Sequence, residues 1–154
     1  MPDMEWMNSL LVDVFGRINK IEERAIAAGF GHAVSISEMH IIAQIGAEQP
    51  VRMSRVAQAV GVTLATLTVA CDRLEAKGLV QRARSCQDRR VVHITLTDKG
   101  RTAYEHHRAF HERMVAAALA GLSGEQTAVL AHSLEKLRDF FRQEEVAMEQ
   151  AAQG

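Results

Sequence analysis

Arg82, Arg84, Arg89 and Arg90 fall within a short polar stretch flanked by two β-rich segments, Leu79–Arg82 and Val91–Leu96. Arginine at a hairpin tip neutralises phosphates and can insert into a narrow minor groove, where the potential is most negative. Upstream, a helical pattern runs from Thr63 to Lys77, stops at Gly78 and carries Thr63, Thr66, Thr68 and Arg73. Small hydroxyl- and methyl-bearing side chains near a helix start suit a major groove. They hydrogen-bond base edges or phosphates and touch thymine methyls. Amides at a helix start can also meet a phosphate. Taken singly, each threonine reads more simply as a cap or as solvated surface; the set carries the signal. Within the tip, Asp88 is expected to pair with Arg90 and hold the turn, leaving Arg89 free for DNA; Arg84, Arg89 and Arg90 together are read as the basic wing.

A second group of residues is imidazole-rich. His107 and His111 are spaced i,i+4 on a helical seam that also holds Tyr104, Met114 and Ala118. His40 could approach from another helix, and Glu22 or Glu23 from a third. Neutral imidazoles at this spacing are a known zinc arrangement. The plainer reading is a set of partly buried, hydrogen-bonded histidines. A third reading places them at the polar end of an apolar ligand pocket. That pocket would be lined by Val14, Ile18, Met39, Ile42, Phe110 and Met114, with His40, His107 and His111 at its end. No metal and no cofactor is assigned on these grounds; zinc at His40, His107 and His111 stands as the alternative. Of the two cysteines, Cys71 reads as a small buried hydrophobe. Cys86, among the tip arginines, is a candidate for oxidation. There is no phosphate-cradling glycine-rich loop, nucleophile elbow or HExxH, so an enzyme is not expected.

The 154 residues, 47% hydrophobic and 24% charged, suit one domain with a sizeable core. No apolar run approaches the roughly 18 residues of a membrane span. No basic segment followed by an apolar run marks a secretory signal, and two cysteines make no disulfide framework, so a cytoplasmic location is the expectation. The net charge of −1 hides an asymmetry. Between Arg52 and Arg101 there are 10 Lys/Arg against 4 Asp/Glu, and elsewhere 8 against 15. A basic middle in an acidic frame fits a local phosphate-binding surface.

The elements follow from periodicity. Met4, Met7, Leu11, Val14, Ile18, Ile21 and Ala25 form a narrow helical seam, for core packing or a dimer contact, closed by Gly29, Phe30 and Gly31. Ser35 with Glu38 fits a capping box for a helix carrying Met39, Ile42 and Ile45 up to Gly46. Met53–Val60, a Gly61-Val62 turn and the helix from Thr63 spell helix-turn-helix, with Val56, Ala57, Val60 and Val62 between the helices. Leu67, Ala70 and Leu74 should face inward, with Thr68 nearer that face than the other threonines. Thr97 should cap the helix of the histidine seam, and Ser123 a last helix carrying Leu130, Leu134, Leu137 and Phe141. The acidic tail from Glu144 to Gly154 is expected to fray. The result is a mainly α chain with a small β-hairpin wing. Residues 51–97 form the winged helix-turn-helix, and residues 1–48 and 98–150 the dimerisation and ligand helices of one domain.

Several motifs carry a resemblance. Leu74-Glu75-Ala76-Lys77-Gly78-Leu79-Val80-Gln81-Arg82, Asp88-Arg89-Arg90-Val91-Val92-His93-Ile94-Thr95-Leu96-Thr97 and Lys99-Gly100-Arg101 resemble the MarR family of winged-helix transcription regulators, over roughly Met4 to Phe141. Within it the chain looks most like the FabT-type repressors of fatty-acid synthesis. Ile21-Glu22-Glu23, Glu38-Met39-His40, Thr63-Leu64-Ala65-Thr66-Leu67-Thr68, Ser85-Cys86-Gln87 leading into the wing, and His107-Arg108-Ala109-Phe110-His111 carry that likeness. The resemblance implies a homodimer built by the first and last two helices. Each subunit would set its second helix-turn-helix helix in a major groove and its wing in the adjoining minor groove of a pseudo-palindromic operator. It further implies a ligand between the DNA-binding lobes and the dimerisation helices, here a long acyl chain on acyl carrier protein that promotes DNA binding. Two positions depart from the family pattern. Thr63 stands where many members have an acid that pairs with a wing arginine, and Arg52 where a capping Ser or Thr is usual.

Overall fold

A computed structural model describes residues 3–30 and 34–152. In chain order the elements are α1 (Met4–Phe30), α2 (Ile36–Ile45), β1 (Val51–Arg52), α3 (Met53–Val60), α4 (Leu64–Ala76), β2 (Val80–Arg84), β3 (Val92–Leu96), α5 (Asp98–Leu119) and α6 (Gly124–Ala152). The chain divides into two compact units, one up to Glu112 and one from Arg113 onward, with the boundary falling in the sequence of α5.

The first unit holds the winged helix. Met39 and Ile42 of α2, Val56 of α3, Leu67, Cys71 and Leu74 of α4, and Leu79, Val80 and Ile94 of the sheet are fully buried together. Each large aliphatic side chain enclosed in this way contributes about 1.5–3 kcal/mol relative to exposure. Ala70 is only half-buried, and Cys71 takes the inward position beside Leu67 and Leu74. Between α3 and α4 the chain turns by 105°. Gly61 makes that turn at φ 75°, a conformation that penalises a Cβ, and the Val62 amide closes it on the Ala57 carbonyl at 3.0 Å.

The expected hairpin gains a third strand. The sheet order is β1-β3-β2, all antiparallel, with Val51 opposite Ile94 and Arg52 opposite His93. This answers how α3 begins without a capping side chain: Arg52 makes no side-chain cap, and its backbone is held by strand pairing instead. Two residues are too few for an alternating pattern, so β1 left no periodic trace. Ser35 and Glu38 form the expected capping box on α2. Thr97 caps α5, accepting from the Gly100 amide at 3.1 Å while donating to the Gly78 carbonyl at 2.6 Å. On α1, Glu22 and Ile26 are buried, whereas Met4 and Ile21 of the expected seam are exposed. Gly31 lies outside the described residues.

The second unit holds the end of α5 and α6. At the start of α6, Ser123 Oγ accepts from the Gln126 amide at 3.2 Å and Gln126 Oε1 accepts from the Ser123 amide at 2.8 Å, a capping box with glutamine. The tail does not fray at Glu144. Helix continues to Ala152, because the Glu, Gln and Ala there are strong helix formers and no Gly or Pro intervenes. No single helix is long and apolar enough to cross a membrane.

Candidate nucleic-acid interface and histidine cluster

At the start of α4, Thr63 Oγ1 accepts from the Thr66 amide at 3.1 Å and lies 2.8 Å from the Thr66 hydroxyl. Both threonines are exposed and hold the helix N-terminus in register. Thr68 does not lie near the inward face as its place in the pattern implied. It is exposed, and its hydroxyl donates to the Leu64 carbonyl at 2.8 Å. The outer face of α4 therefore presents Leu64, Ala65, Thr68, Val69 and Arg73 together. A cleft of about 250 Å³ separates this face from the wing, with Leu64 and Thr68 on one side and Arg82, Arg90 and Val92 on the other.

The wing is preset by its own hydrogen bonds. Asp88 accepts from the Arg90 amide at 3.0 Å and from Arg90 Nε at 3.2 Å, as expected from the sequence. These bonds, the backbone one first, hold the Asp88 carboxyl below its ordinary range. Arg84 ends β2 opposite Val92, and Arg84 and Arg89 are exposed with no ion pair among the described residues. Arg82 has a different job. Its guanidinium spans Asp72 and Glu75 of α4, at 2.6 Å each, and fastens the wing to that helix. Thr63 itself makes no hydrogen bond to the wing among the described residues; the link between α4 and the wing runs through Arg82 instead. The sequence counted Arg82 with the basic tip; an Asp72 and a Glu75 three residues apart on one helical face were the available sign of its partners.

Around the histidines the structure selects Glu22 over Glu23. Glu22 is buried, with only 4% of its side chain exposed. Its Oε1 lies 2.7 Å from His107 Nε2, 3.1 Å from His40 Nε2 and 3.4 Å from His111 Nε2. His107 and His111 Nε2 are 3.0 Å apart. Burial alone would raise the Glu22 carboxyl, but hydrogen bonds from His107 and then His40 outweigh it and hold the group below its ordinary value. Burial, opposed by the Glu22 hydrogen bond, pushes His107 down. The pair is therefore an ionised carboxylate beside a neutral imidazole. Burial likewise pushes the Cys71 thiol up to about 11, which makes it inert.

The residues assigned to a ligand pocket scatter. Met39 and Ile42 are fully enclosed in the winged-helix core. Ile18 is half-buried and Val14 exposed, on α1. Phe110 packs its ring edge-on against His111, with centroids 5.1 Å apart. Met114 lies on the part of α5 that belongs to the second unit. One contact escaped the sequence entirely. Lys77, at the C-cap of α4, donates to both oxygens of Glu38 on α2 at 2.7 Å.

A helix-turn-helix backed by a basic, preset wing defines a winged-helix DNA-binding regulator. Comparison with known proteins carries this one step further. The MarR family profile matches residues 34–92. The structure of Streptococcus pneumoniae FabT in complex with DNA is 39% identical, covers 92% of this chain and 99% of that one, and superposes with a TM-score of 0.83. The transcriptional repressor MdtR of Bacillus subtilis is 26% identical over 131 residues, covering 85% of this chain and 84% of MdtR. RV1404 of Mycobacterium tuberculosis, 16% identical and covering 90% and 94% of the two chains, shares the fold with a TM-score of 0.69. The chain belongs to the MarR family of DNA-binding transcription regulators. MdtR, a transcriptional repressor, and FabT, solved with DNA, are regulators and not enzymes, in line with the missing catalytic motifs.

Proposed function

We propose that the protein is a repressor that binds a pseudo-palindromic operator as a homodimer, with α4 in the major groove and the wing in the adjoining minor groove. The observation that carries this reading is the exposed face of α4 beside a wing whose Arg84 and Arg89 are left to solvent, in a chain 39% identical to a FabT solved with DNA. Thr63, Thr66, Thr68 and Arg73 are assigned to the helix contacts, and Arg84, Arg89 and Arg90 to the wing. The exposed apolar side chains of α1, among them Met4, Val14 and Phe15, and of α6, among them Leu134 and Phe141, are surfaces that a second copy would cover. A cytoplasmic location fits this role.

The finer reading is control of fatty-acid synthesis genes, with a long acyl chain on acyl carrier protein as the effector. Likeness to FabT supports it. Titration of an operator, selected from a random duplex pool, tests both levels. Arg89→Ala should weaken binding by about 1–3 kcal/mol if Arg89 reads bases. Unchanged affinity and salt dependence would remove Arg89 from the interface. Adding palmitoyl-acyl carrier protein should tighten the wild-type complex; no change would remove the acyl effector and leave operator binding standing.

A further inference from the structure

We propose that Glu22, His107 and His111, joined by His40, form a site for one divalent transition-metal ion, zinc by preference, and that filling it tightens operator binding. The site goes beyond the acyl reading; its regulatory half rests on the operator reading.

The first argument is proton accounting. A neutral imidazole Nε2 carries either one hydrogen or one lone pair. His107 Nε2 must donate to make its 2.7 Å contact with the Glu22 carboxylate. His111 Nε2 lies 3.0 Å from that same nitrogen and 3.4 Å from the same oxygen. If His111 Nε2 is protonated, both N–H groups converge on one carboxylate oxygen and the 3.0 Å N···N contact has no acceptor; if it is not, its lone pair lies 3.4 Å from the carboxylate. No placement of one proton per ring satisfies every contact. A cation at the common focus removes the conflict, because each nitrogen and the oxygen then offers a lone pair.

The second argument is geometry. Donor atoms of Glu22, His107 and His111 all lie within 4.8 Å of one another. Zinc holds nitrogen and oxygen at about 2.0–2.2 Å, so neighbouring donors of a tetrahedron sit about 3.3 Å apart. The observed separations of 2.7, 3.0 and 3.4 Å need little adjustment. His40 stands outside this compact trio, but its Nε2 reaches Glu22 at 3.1 Å and its side chain is 52% exposed. It can therefore swing in as the fourth ligand, and its side of the cluster gives the ion a way in. Imidazole nitrogens with one carboxylate suit zinc, and suit calcium or magnesium poorly.

The third argument concerns output. The ligands come from α1, α2 and α5, all within the first unit. On α2, His40 is flanked by Met39, in the core with Leu67 and Leu74 of α4. Two residues before His40, Glu38 grips Lys77 at the end of α4. A metal that ties α2 to α1 and α5 orders the body carrying the recognition helix before DNA arrives, which lowers the ordering cost of binding.

The test uses the full chain, dialysed against a chelator and titrated with Co(II), with ligand-field absorption as the readout and Zn(II) as competitor. One Co(II) per chain, bleached by Zn(II), is expected. Glu22→Gln and His111→Ala should each weaken binding by at least the about 10- to 100-fold that loss of an outer-shell partner costs. His111 is partly exposed, so its variant remains informative should one at Glu22 fail to fold. Absent bands, or bands unaffected by both folded variants, overturn the site. Zn(II) should raise operator affinity about 5- to 150-fold in wild type and not in His111→Ala. Equal affinity with and without Zn(II) overturns the regulatory half. Failure to bind the duplex in either state would instead overturn the operator reading, with the Co(II) result still deciding the site.

Discussion

A buried carboxylate facing three imidazoles fixes how this protein responds to acid. His107 is pushed below its ordinary value of 6.5, by burial first. The unfolded chain therefore takes up a proton on His107 before the folded chain does, and stability falls as pH drops through about 6.5. Glu22 is held below its ordinary 4.5, so the folded chain resists protonation there too, and a second loss follows below that pH. Both groups act in the same direction. Thermal melts of chelated protein should show Tm falling between about pH 7 and 5.5, and His107→Gln should flatten that slope. A Tm that rises on acidification would contradict the assignment of a neutral His107 beside an ionised Glu22. The three histidines were legible as a group from the spacing of His107 and His111. Glu22 was legible only as one of two choices, since Glu22 and Glu23 differ by which helical face is buried, and burial is a tertiary property.

At the scale of elements, close approach decides. α5 starts against the turn before β2, so that a Cβ on Gly100 would lie 1.9 Å from the Leu79 carbonyl oxygen and 3.3 Å from Leu96 Cβ. Backbone cannot yield as a side-chain tip can. Gly100→Ala should cost about 1–3 kcal/mol in denaturant unfolding, as overpacking does. A cost near zero would mean that α5 enters differently. The capping box of α2, the Ser123 cap of α6, the Gly61 turn and the amphipathic pattern of α3 were readable because each is set by residues within one turn of each other. β1 and the Glu38–Lys77 pair were not, since their partners lie tens of residues away and nothing local marks them. The tail was misjudged because acidity was weighed above helix propensity, yet α6 runs to Ala152.

At the scale of the whole molecule, the net charge of −1 is the wrong number to consult, because the ten basic residues between Arg52 and Arg101 gather on the part that carries α4 and the wing. Family membership was legible through the wing motif, which fixes both hairpin register and basic tip. The target genes and the effector were not, since they depend on groups that the chain meets and does not contain. The central claim is that two copies present α4 and the wing to one duplex. Hydroxyl-radical footprinting on a selected operator tests it most directly. The expected result is two protected half-sites with centres about one helical turn, 10–10.5 base pairs, or a multiple of it apart. Protection should need two chains per duplex and should fade at the flanks when Arg84 and Arg89 are both changed to Ala. One protected half-site with one chain per duplex, or flanks indifferent to both arginines, would contradict the account.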